Sequence, residues 1–373
     1  MKYIHQTDIW PKFTWDHRKI ASILGPIRNQ QGRLLGRMEA LGFSLRSEAV
    51  LQTITLEVIK SSEIEGETLD LAKVRSSIAR RLGMDVAGFV HSDRYVEGVV
   101  EMMMDATQNF DKPMTKERLF DWHANLFPTG RSGMQKIVVG MWRLDTDGPM
   151  RVVSGPIGRE KVHFVAPPAD CLEGEMKQFL NWFESSEDLD PVLKAGIAHL
   201  WFVTVHPFED GNGRIARAIA DLQLARTDGS RERFYSMSAQ IRQERNDYYD
   251  ILEEIQNSAH ATKEGIDITL WLEWFLGCLS RALKNTESTL ANVFKKVRFW
   301  ETHIATSINE RQRKLINKLF EGFEGKLTTS KYAKIAKCSQ DTAWRDINDL
   351  TEKRILVKDS AGGRSTSYSL NVA

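Results

Sequence analysis

Twelve consecutive residues concentrate the chemistry available to this 373-residue chain: His206-Pro207-Phe208-Glu209-Asp210-Gly211-Asn212-Gly213-Arg214-Ile215-Ala216-Arg217. They lie between two apolar, helix-like segments, Lys194–Val205 and Ile215–Ala225, so the stretch reads as a tight loop opening a helix. Gly211 and Gly213 permit close backbone approach, and the N–H groups at the start of the following helix form a ready anion site. Arg214 and Arg217 are three apart and project as neighbours from one helix face. Two guanidinium groups beside such a nest suit a polyphosphate. Asp210 is a hard oxygen ligand, and Mg²⁺ on phosphates often needs only one or two carboxylates. His206 is the side chain here able to take a proton near neutral pH. This is the chemistry of phosphoryl or nucleotidyl transfer, assembled without a Walker loop. The plainer alternative, a glycine-rich turn that ends one helix and caps the next, explains a lone glycine pair but not a dozen residues so closely matched to that chemistry.

The elements around it read as mainly helical. Residues 1–20 carry Trp10, Pro11, Phe13 and Trp15, large aromatics expected to clamp onto the rest of the chain, with an exposed recognition tip as the alternative. From Ile20 to Gln108 the pattern is helical, and Leu51, Ile54, Thr55, Val58 and Ile59 share one apolar face. Behind them, Ser61-Ser62-Glu63-Ile64-Glu65-Gly66-Glu67 reads as an acidic helix end with Gly66 as terminator. Asp111-Lys112-Pro113 marks a boundary, and Thr115 is the expected N-cap of Lys116–Leu126. His123 lies on the apolar face of that helix and reads as a core histidine. Met150–Gly155 and Lys161–Val165 read as two strands joined by the turn residues Gly155–Glu160, the only convincing hairpin in the first 350 residues. Its open edge could accept an extended peptide by β-addition. Arg242–Ser258 and Thr269–Ala282 are again helical, and Tyr249 and Asn257, eight apart, share one helix face.

Composition narrows the class. With 42% hydrophobic residues the chain suits two or three domains. Apolar runs such as Ile197–Val205 fall well short of the ~20 residues of a membrane span, and Met1–Gln6 has no apolar run resembling a signal peptide. Cys171, Cys278 and Cys338 show neither metal spacing nor a disulfide framework, which fits a reducing cytoplasm, and each is expected to be a small buried hydrophobe. The net charge of +1 argues against a nucleic-acid binder over the whole chain. From Arg311 onward, however, thirteen Lys/Arg face seven Asp/Glu. That tail reads as helices Arg311–Phe320, Thr329–Ala336 and Ser339–Arg354, then strands Ile355–Lys358 and Ser367–Leu370 around Ala361-Gly362-Gly363. The order resembles a winged helix-turn-helix. Its charge suits DNA, whereas Asp341, Asp346 and Asp349 on the third helix would repel phosphates, so DNA binding and protein docking both stay open.

Residues 206–217 resemble the Fic motif, H-P-F-x-[DE]-G-N-G-R-x-x-R, at every defined position. The resemblance implies a mainly α fold with a β-hairpin flap, divided into an N-terminal helical region (1–110), a catalytic core (111–300) and a winged-helix tail (301–373). It implies protein adenylylation, in which AMP passes from ATP to a Ser, Thr or Tyr hydroxyl with Mg²⁺ on Asp210. His206 would be the base. Gly211, Asn212, Gly213, Arg214, Ile215, Ala216 and Arg217 would bind the phosphates, with Asn212 stabilising their developing charge. Tyr249 and Asn257 lie where the family contacts adenine, core packing being an equal alternative for a tyrosine there. Ser61, Glu65 and Gly66 resemble the family's inhibitory motif, [ST]-x-x-x-E-[GN], whose glutamate reaches the second arginine, here Arg217. Protein substrates would dock at the flap, Met150–Val165, and family members often pair as homodimers. Removal of AMP, another phosphate-linked transfer, and a DNA-binding regulator with a nucleotide-sensing core are the rival readings.

Overall fold

The computed structural model describes residues 3–84, 90–146, 148–155, 159–186, 188–320, 325–359 and 366–371. They fall into two compact units, Met1–Thr286 and Glu287–Ala373. The architecture is mainly helical, as the periodicity predicts. Among the described residues no helix is long and apolar enough to cross a membrane.

In the first unit, strand β1 (Phe13–Thr14) leads into α1 (His17–Glu39), α2 (Phe43–Ile64), α3 (Leu71–Arg81), α4 (Arg94–Gln108) and α5 (Lys116–Leu126). The short strands β2 (Arg131–Ser132), β3 (Gln135–Lys136), β4 (Arg151–Ser154) and β5 (Lys161–Val165) follow. Helices α6 (Leu172–Glu184), α7 (Pro191–Val205), α8 (Asn212–Asp228), α9 (Met237–Gln243) and α10 (Arg245–Ile255), strand β6 (Ile266–Asp267) and helix α11 (Thr269–Thr289) complete it. Capping explains many of the boundaries. Asp16, Asp70, Asp93, Thr115 and Ser236 each accept a backbone N–H three residues on, and such a cap contributes roughly 1 kcal/mol. Asp190 caps α7 just before Pro191, whose missing N–H has no helical partner to lose. Helix α7 is the centre of the unit. Every residue from Val192 to Val205 is buried, the mark of a helix apolar on all sides.

The aromatic start of the chain packs as expected. Trp10 and Phe13 meet Trp201 of α7 edge to face, at 6.1 and 5.7 Å between centroids, while β1 pairs in parallel with β6.

The structure departs from the sequence pattern in local detail. The helical stretch 20–108 is four helices, and Arg242–Ser258 is α9 and α10, ending at Ile255. Strands β4 and β5 form the expected antiparallel pair, with a register shift between Val152 and Val153; Pro156, Ile157 and Gly158 of its turn lie outside the described residues. A second antiparallel pair, β2 with β3, turns at Gly133. Two-residue strands are too short to display alternation, so this one escaped the pattern. Of the three cysteines only Cys278 is buried as expected: Cys171, which ends a 3₁₀ turn just before α6, is exposed, and Cys338 is half-buried.

The second unit comprises α12 (Ala291–Thr302), α13 (Glu310–Phe320), α14 (Thr329–Ala336), α15 (Gln340–Glu352) and the antiparallel strands β7 (Leu356–Lys358) and β8 (Tyr368–Leu370). Its core holds Leu315, Ile316, Tyr332, Ile347, Leu350 and Leu356. Ala361-Gly362-Gly363 lies outside the described residues. One aspartate expected to face outward turns inward, and a second stays partly exposed but paired. Asp346 is buried and accepts from Arg311 Nε (2.9 Å) and Tyr332 Oη (2.8 Å), while Asp349 accepts from Gln312 Nε2 and Lys353 Nζ, both at 2.6 Å. Of the three, Asp341 stays exposed.

Candidate active site

The loop between α7 and α8 is built around a strained histidine. His206 caps α7 with φ 51°, a left-handed conformation that ordinary side chains avoid. Its ring Nδ1 lies 3.2 Å from the carbonyl of Val203. Because that oxygen can only accept, Nδ1 carries the proton and Nε2 keeps its lone pair. Burial, helped by the charge of Arg143, lowers the His206 pKa to about 4, against the opposite pull of the Val203 carbonyl, Asp210 and Glu65. The ring is therefore neutral at physiological pH and able to take a proton.

The rest of the loop is fixed from several sides. Phe208 is fully buried and stacks on His123 at 4.1 Å and 12°. His123 is the expected core histidine, and burial keeps it neutral, with a pKa of about 4. Asn212 accepts the Phe208 N–H (3.0 Å) and donates to the Phe208 carbonyl (2.7 Å). Its side chain thus closes the loop, leaving its backbone N–H as the group at the helix start. Glu209 accepts the Val138 N–H at 2.9 Å, and Ser132 donates its hydroxyl to Asp210 Oδ2. Ile215 and Ala216 are fully buried, and the Ile215 N–H donates to the Gly211 carbonyl; neither side chain faces the cleft. Gly211, at φ 82°, opens α8, whose first-turn N–H groups have no intrahelical acceptor and carry the positive end of the helix dipole.

Both arginines are buried and both are held by the C-terminal end of α2 and the turn that follows it. That helix ends in a Schellman turn: Gly66, at φ 84°, donates to the Glu63 carbonyl, and the Glu67 N–H donates to that of Ser62. Arg217 donates through Nη2 to Glu65 Oε1 at 2.7 Å. It also donates through Nε to Ser61 Oγ and through Nη2 to the Ser61 carbonyl, each at 2.9 Å. The Glu65 contact is single rather than bidentate: Nη2 alone reaches the carboxylate. Arg214 donates through Nη1 to Glu67 Oε2 and to the Tyr95 hydroxyl, each at 2.7 Å, and Tyr95 in turn donates to Glu67. One turn therefore sends two acids to two arginines. Among the described residues, Arg214 Nε and Arg217 Nη1 are buried and meet no acceptor. Gly213 makes room for this approach, because a Cβ there would stand 2.3 Å from Glu65 Oε1.

The two residues expected at adenine part company. Tyr249 is partly exposed on α10, and its hydroxyl lies 3.4 Å from the Ile64 carbonyl at the end of α2. Tyr248 is core, its hydroxyl 2.9 Å from His199 Nε2. Asn257 shares no helix face with Tyr249, because α10 ends at Ile255 and Asn257 is extended, capping its own 3₁₀ turn through the Ala259 N–H.

Residues 113–224, which hold α5, the hairpins, α7 and the loop, match the Fic/DOC family. The chain carries a Fic domain. Residues 3–84 match a domain of unknown function (DUF4172). A protein adenylyltransferase fic-1 of Caenorhabditis elegans is 30% identical over 178 residues, covering 47% of this chain and 32% of that protein. The protein adenylyltransferase Fic of Drosophila melanogaster is 25% identical over 290 residues, covering 72% and 51%. The chain thus spans between a third and a half of the length of these curated relatives. A Fic family protein from Desulfovibrio desulfuricans G20 shares the fold over nearly the whole chain: TM-score 0.55, 24% identity, covering 97% of this chain and 98% of the other.

Around the Fic domain loop, four contributors had no role in the sequence reading. Glu67 offered a faint signal, an acid on the far side of the Gly66 turn from Glu65. Tyr95, Ser132 and Arg143 offered none, since their partners lie tens of residues away. The turn itself can be tested. Space around Gly66 is open, so Gly66→Ala should cost only its backbone strain, about 1–2 kcal/mol. Tm should fall by roughly 2–4 °C per kcal/mol. An unchanged Tm would mean that the turn is not left-handed in solution.

Proposed function

We propose that the chain is a protein adenylyltransferase that passes AMP from ATP to a protein hydroxyl, restrained by Glu65 and Glu67. What supports the reading is a neutral histidine beside a helix N-terminus that carries two buried arginines, each with an N–H lacking an acceptor. Such donors call for an anion with several oxygens. Adenylyltransferase activity belongs to the relatives named above and comes to this chain as a proposal.

In this mechanism Nε2 of His206 accepts the proton of a Ser, Thr or Tyr hydroxyl as its oxygen bonds to the α-phosphorus. The bond to the β-phosphate oxygen breaks, and pyrophosphate leaves. N–H groups at the start of α8 stabilise the charge gathering on the phosphate oxygens. Arg214 and Arg217 hold the β- and γ-phosphates once Glu67 and Glu65 release them. Among the described residues no three His, Cys, Asp or Glu side chains cluster to cage a metal. Asp210 beside the Ser132 hydroxyl is instead a hard-oxygen pair, which fits Mg²⁺ brought on the substrate's phosphates. That ion would supply charge neutralisation on the triphosphate.

Two results test this directly. The kcat/KM for transfer should stay level through the neutral range and fall only as pH drops toward about 4, where the free enzyme's His206 gains its proton. A midpoint near the ordinary histidine value would mean that burial does not hold the ring neutral in the working enzyme, and a profile with no acid limb would remove His206 as the base. The second concerns the flap, where Val153 and Val162 are paired and half exposed. A proline at either should cripple modification of an external protein with little change in nucleotide affinity. Equal loss of both would show the hairpin to be core structure.

The second unit supports a separate proposal, nucleic-acid contact by a winged helix. With Asp346 buried against Arg311 and Asp349 paired with Lys353, the repulsion that weighed against it is reduced. Binding to duplex DNA should weaken steeply as salt rises; a salt-independent or absent association would favour protein docking.

A further inference from the structure

Arg143 is 1% exposed, and its donors are distributed over three segments. Its backbone N–H donates to the Pro207 carbonyl at 2.9 Å, and its Nε to the His206 carbonyl at 2.8 Å. Nη2 donates to the Pro167 carbonyl, and Nη1 to Asp145 Oδ1 at 2.6 Å. Asp145 accepts the Ala169 N–H through its other oxygen at 2.7 Å. Pro167 stands two residues after β5, and the Ala166 N–H between them donates to the Met150 carbonyl at the start of the hairpin. One guanidinium therefore ties the peptide that follows the base to the root of the flap.

The anchorage matters because His206 sits where L side chains rarely stay. A left-handed residue other than glycine is unfavourable and persists only when its surroundings over-determine it. Arg143 claims both carbonyls on the C-terminal side of that residue. A lysine could keep the positive charge, but its single ammonium cannot reproduce the planar fork that reaches His206, Pro167 and Asp145 together.

We propose that Arg143 is a positioning residue for the transfer reaction, holding the His206 ring in register with the acceptor hydroxyl presented by the flap. The inference rests on the transferase reading above. A base displaced by ~1 Å can cost on the order of 10²-fold in rate, so the effect should fall on turnover rather than on nucleotide binding.

The test uses the full chain in the Glu65→Gly background, comparing Arg143→Lys and Arg143→Met with their parent. Self-labelling from α-labelled ATP gives the rate and the half-saturating ATP concentration; histidine NMR gives the His206 pKa; Tm reports the fold. For Arg143→Lys the rate should fall ~10–100-fold at saturating ATP, with half-saturation and the His206 pKa unchanged. For Arg143→Met the pKa should also rise, because the Arg143 charge that opposes protonation is gone while Asp210 still favours it. A purely structural anchor would lower Tm and, with it, the share of folded enzyme, while the rate per folded molecule of Arg143→Lys stayed at the parental value. Should Arg143→Met fail to fold, the lysine variant decides. Labelling by Arg143→Lys at the parental rate overturns this inference alone. A Glu65→Gly parent that transfers no AMP overturns the transferase reading and takes this inference with it.

Discussion

His206→Ala, made in the Glu65→Gly background, is expected to cut AMP transfer by ~10²–10⁴-fold while ATP binding survives. The upper end of that range applies, because no other described side chain offers a free base at this place. His123, the next histidine, stacks under Phe208, and its Nδ1 accepts the Gly140 N–H at 3.2 Å. Alanine at φ 51° adds backbone strain to the loss of the ring. Asparagine tolerates that conformation better, so His206→Asn separates the two effects. Both variants should be equally inactive if the ring is the base. Transfer at the parental rate by either would mean that the motif is not the catalytic centre.

Glu65→Gly alone is expected to raise self-labelling strongly, on the order of 10²-fold if the held triphosphate is misaligned by ~1 Å. Arg217 Nη2 cannot give its full hydrogen-bonding strength to a γ-phosphate while it donates to Glu65 and to the Ser61 carbonyl. Arg214 remains engaged with Glu67 and Tyr95 in this variant. Glu65→Gly with Glu67→Gln should therefore label faster than Glu65→Gly alone. Adding Arg217→Ala to Glu65→Gly should take the rate back down, since the freed arginine is the source of the gain. Labelling by Glu65→Gly at the wild-type level would reduce Ser61–Gly66 to an acidic helix end.

What could be read in the sequence was what lies close together along the chain. The loop, its glycines, its arginines and the Thr115 cap of α5 are all local, and spacing alone placed them. The partnership of Glu65 with Arg217 spans 152 residues and was reached through resemblance rather than periodicity. Contacts of similar reach without a motif stayed hidden: Ser132 on Asp210, Tyr95 on Arg214, Arg143 on His206. Asn257 departs from the helical pattern for a different reason. Helical spacing from Tyr249 continues past Ile255 on paper, but an asparagine that can cap a new turn through its own side chain ends the pattern. Asp346 looked like surface charge because nothing in the sequence reveals that Arg311 and Tyr332 neutralise it inside.

The burial of α2 limits the kind of event that could switch this protein on. Val50, Leu51, Ile54, Val58 and Ile64 are each at most 3% exposed. Pulling the helix away would uncover all five, at roughly 1.5–3 kcal/mol apiece, a sum comparable to the stability of a whole domain. Swinging the Glu65 carboxylate aside breaks one contact at the helix end, and side-chain rotamer changes of exposed groups take picoseconds to nanoseconds. Activation should therefore leave the amide hydrogen exchange of α2 unchanged, and the fraction of active molecules should follow the rotamer populations of Glu65 and Glu67. A regulator of such a switch needs to reach only the edge of one turn.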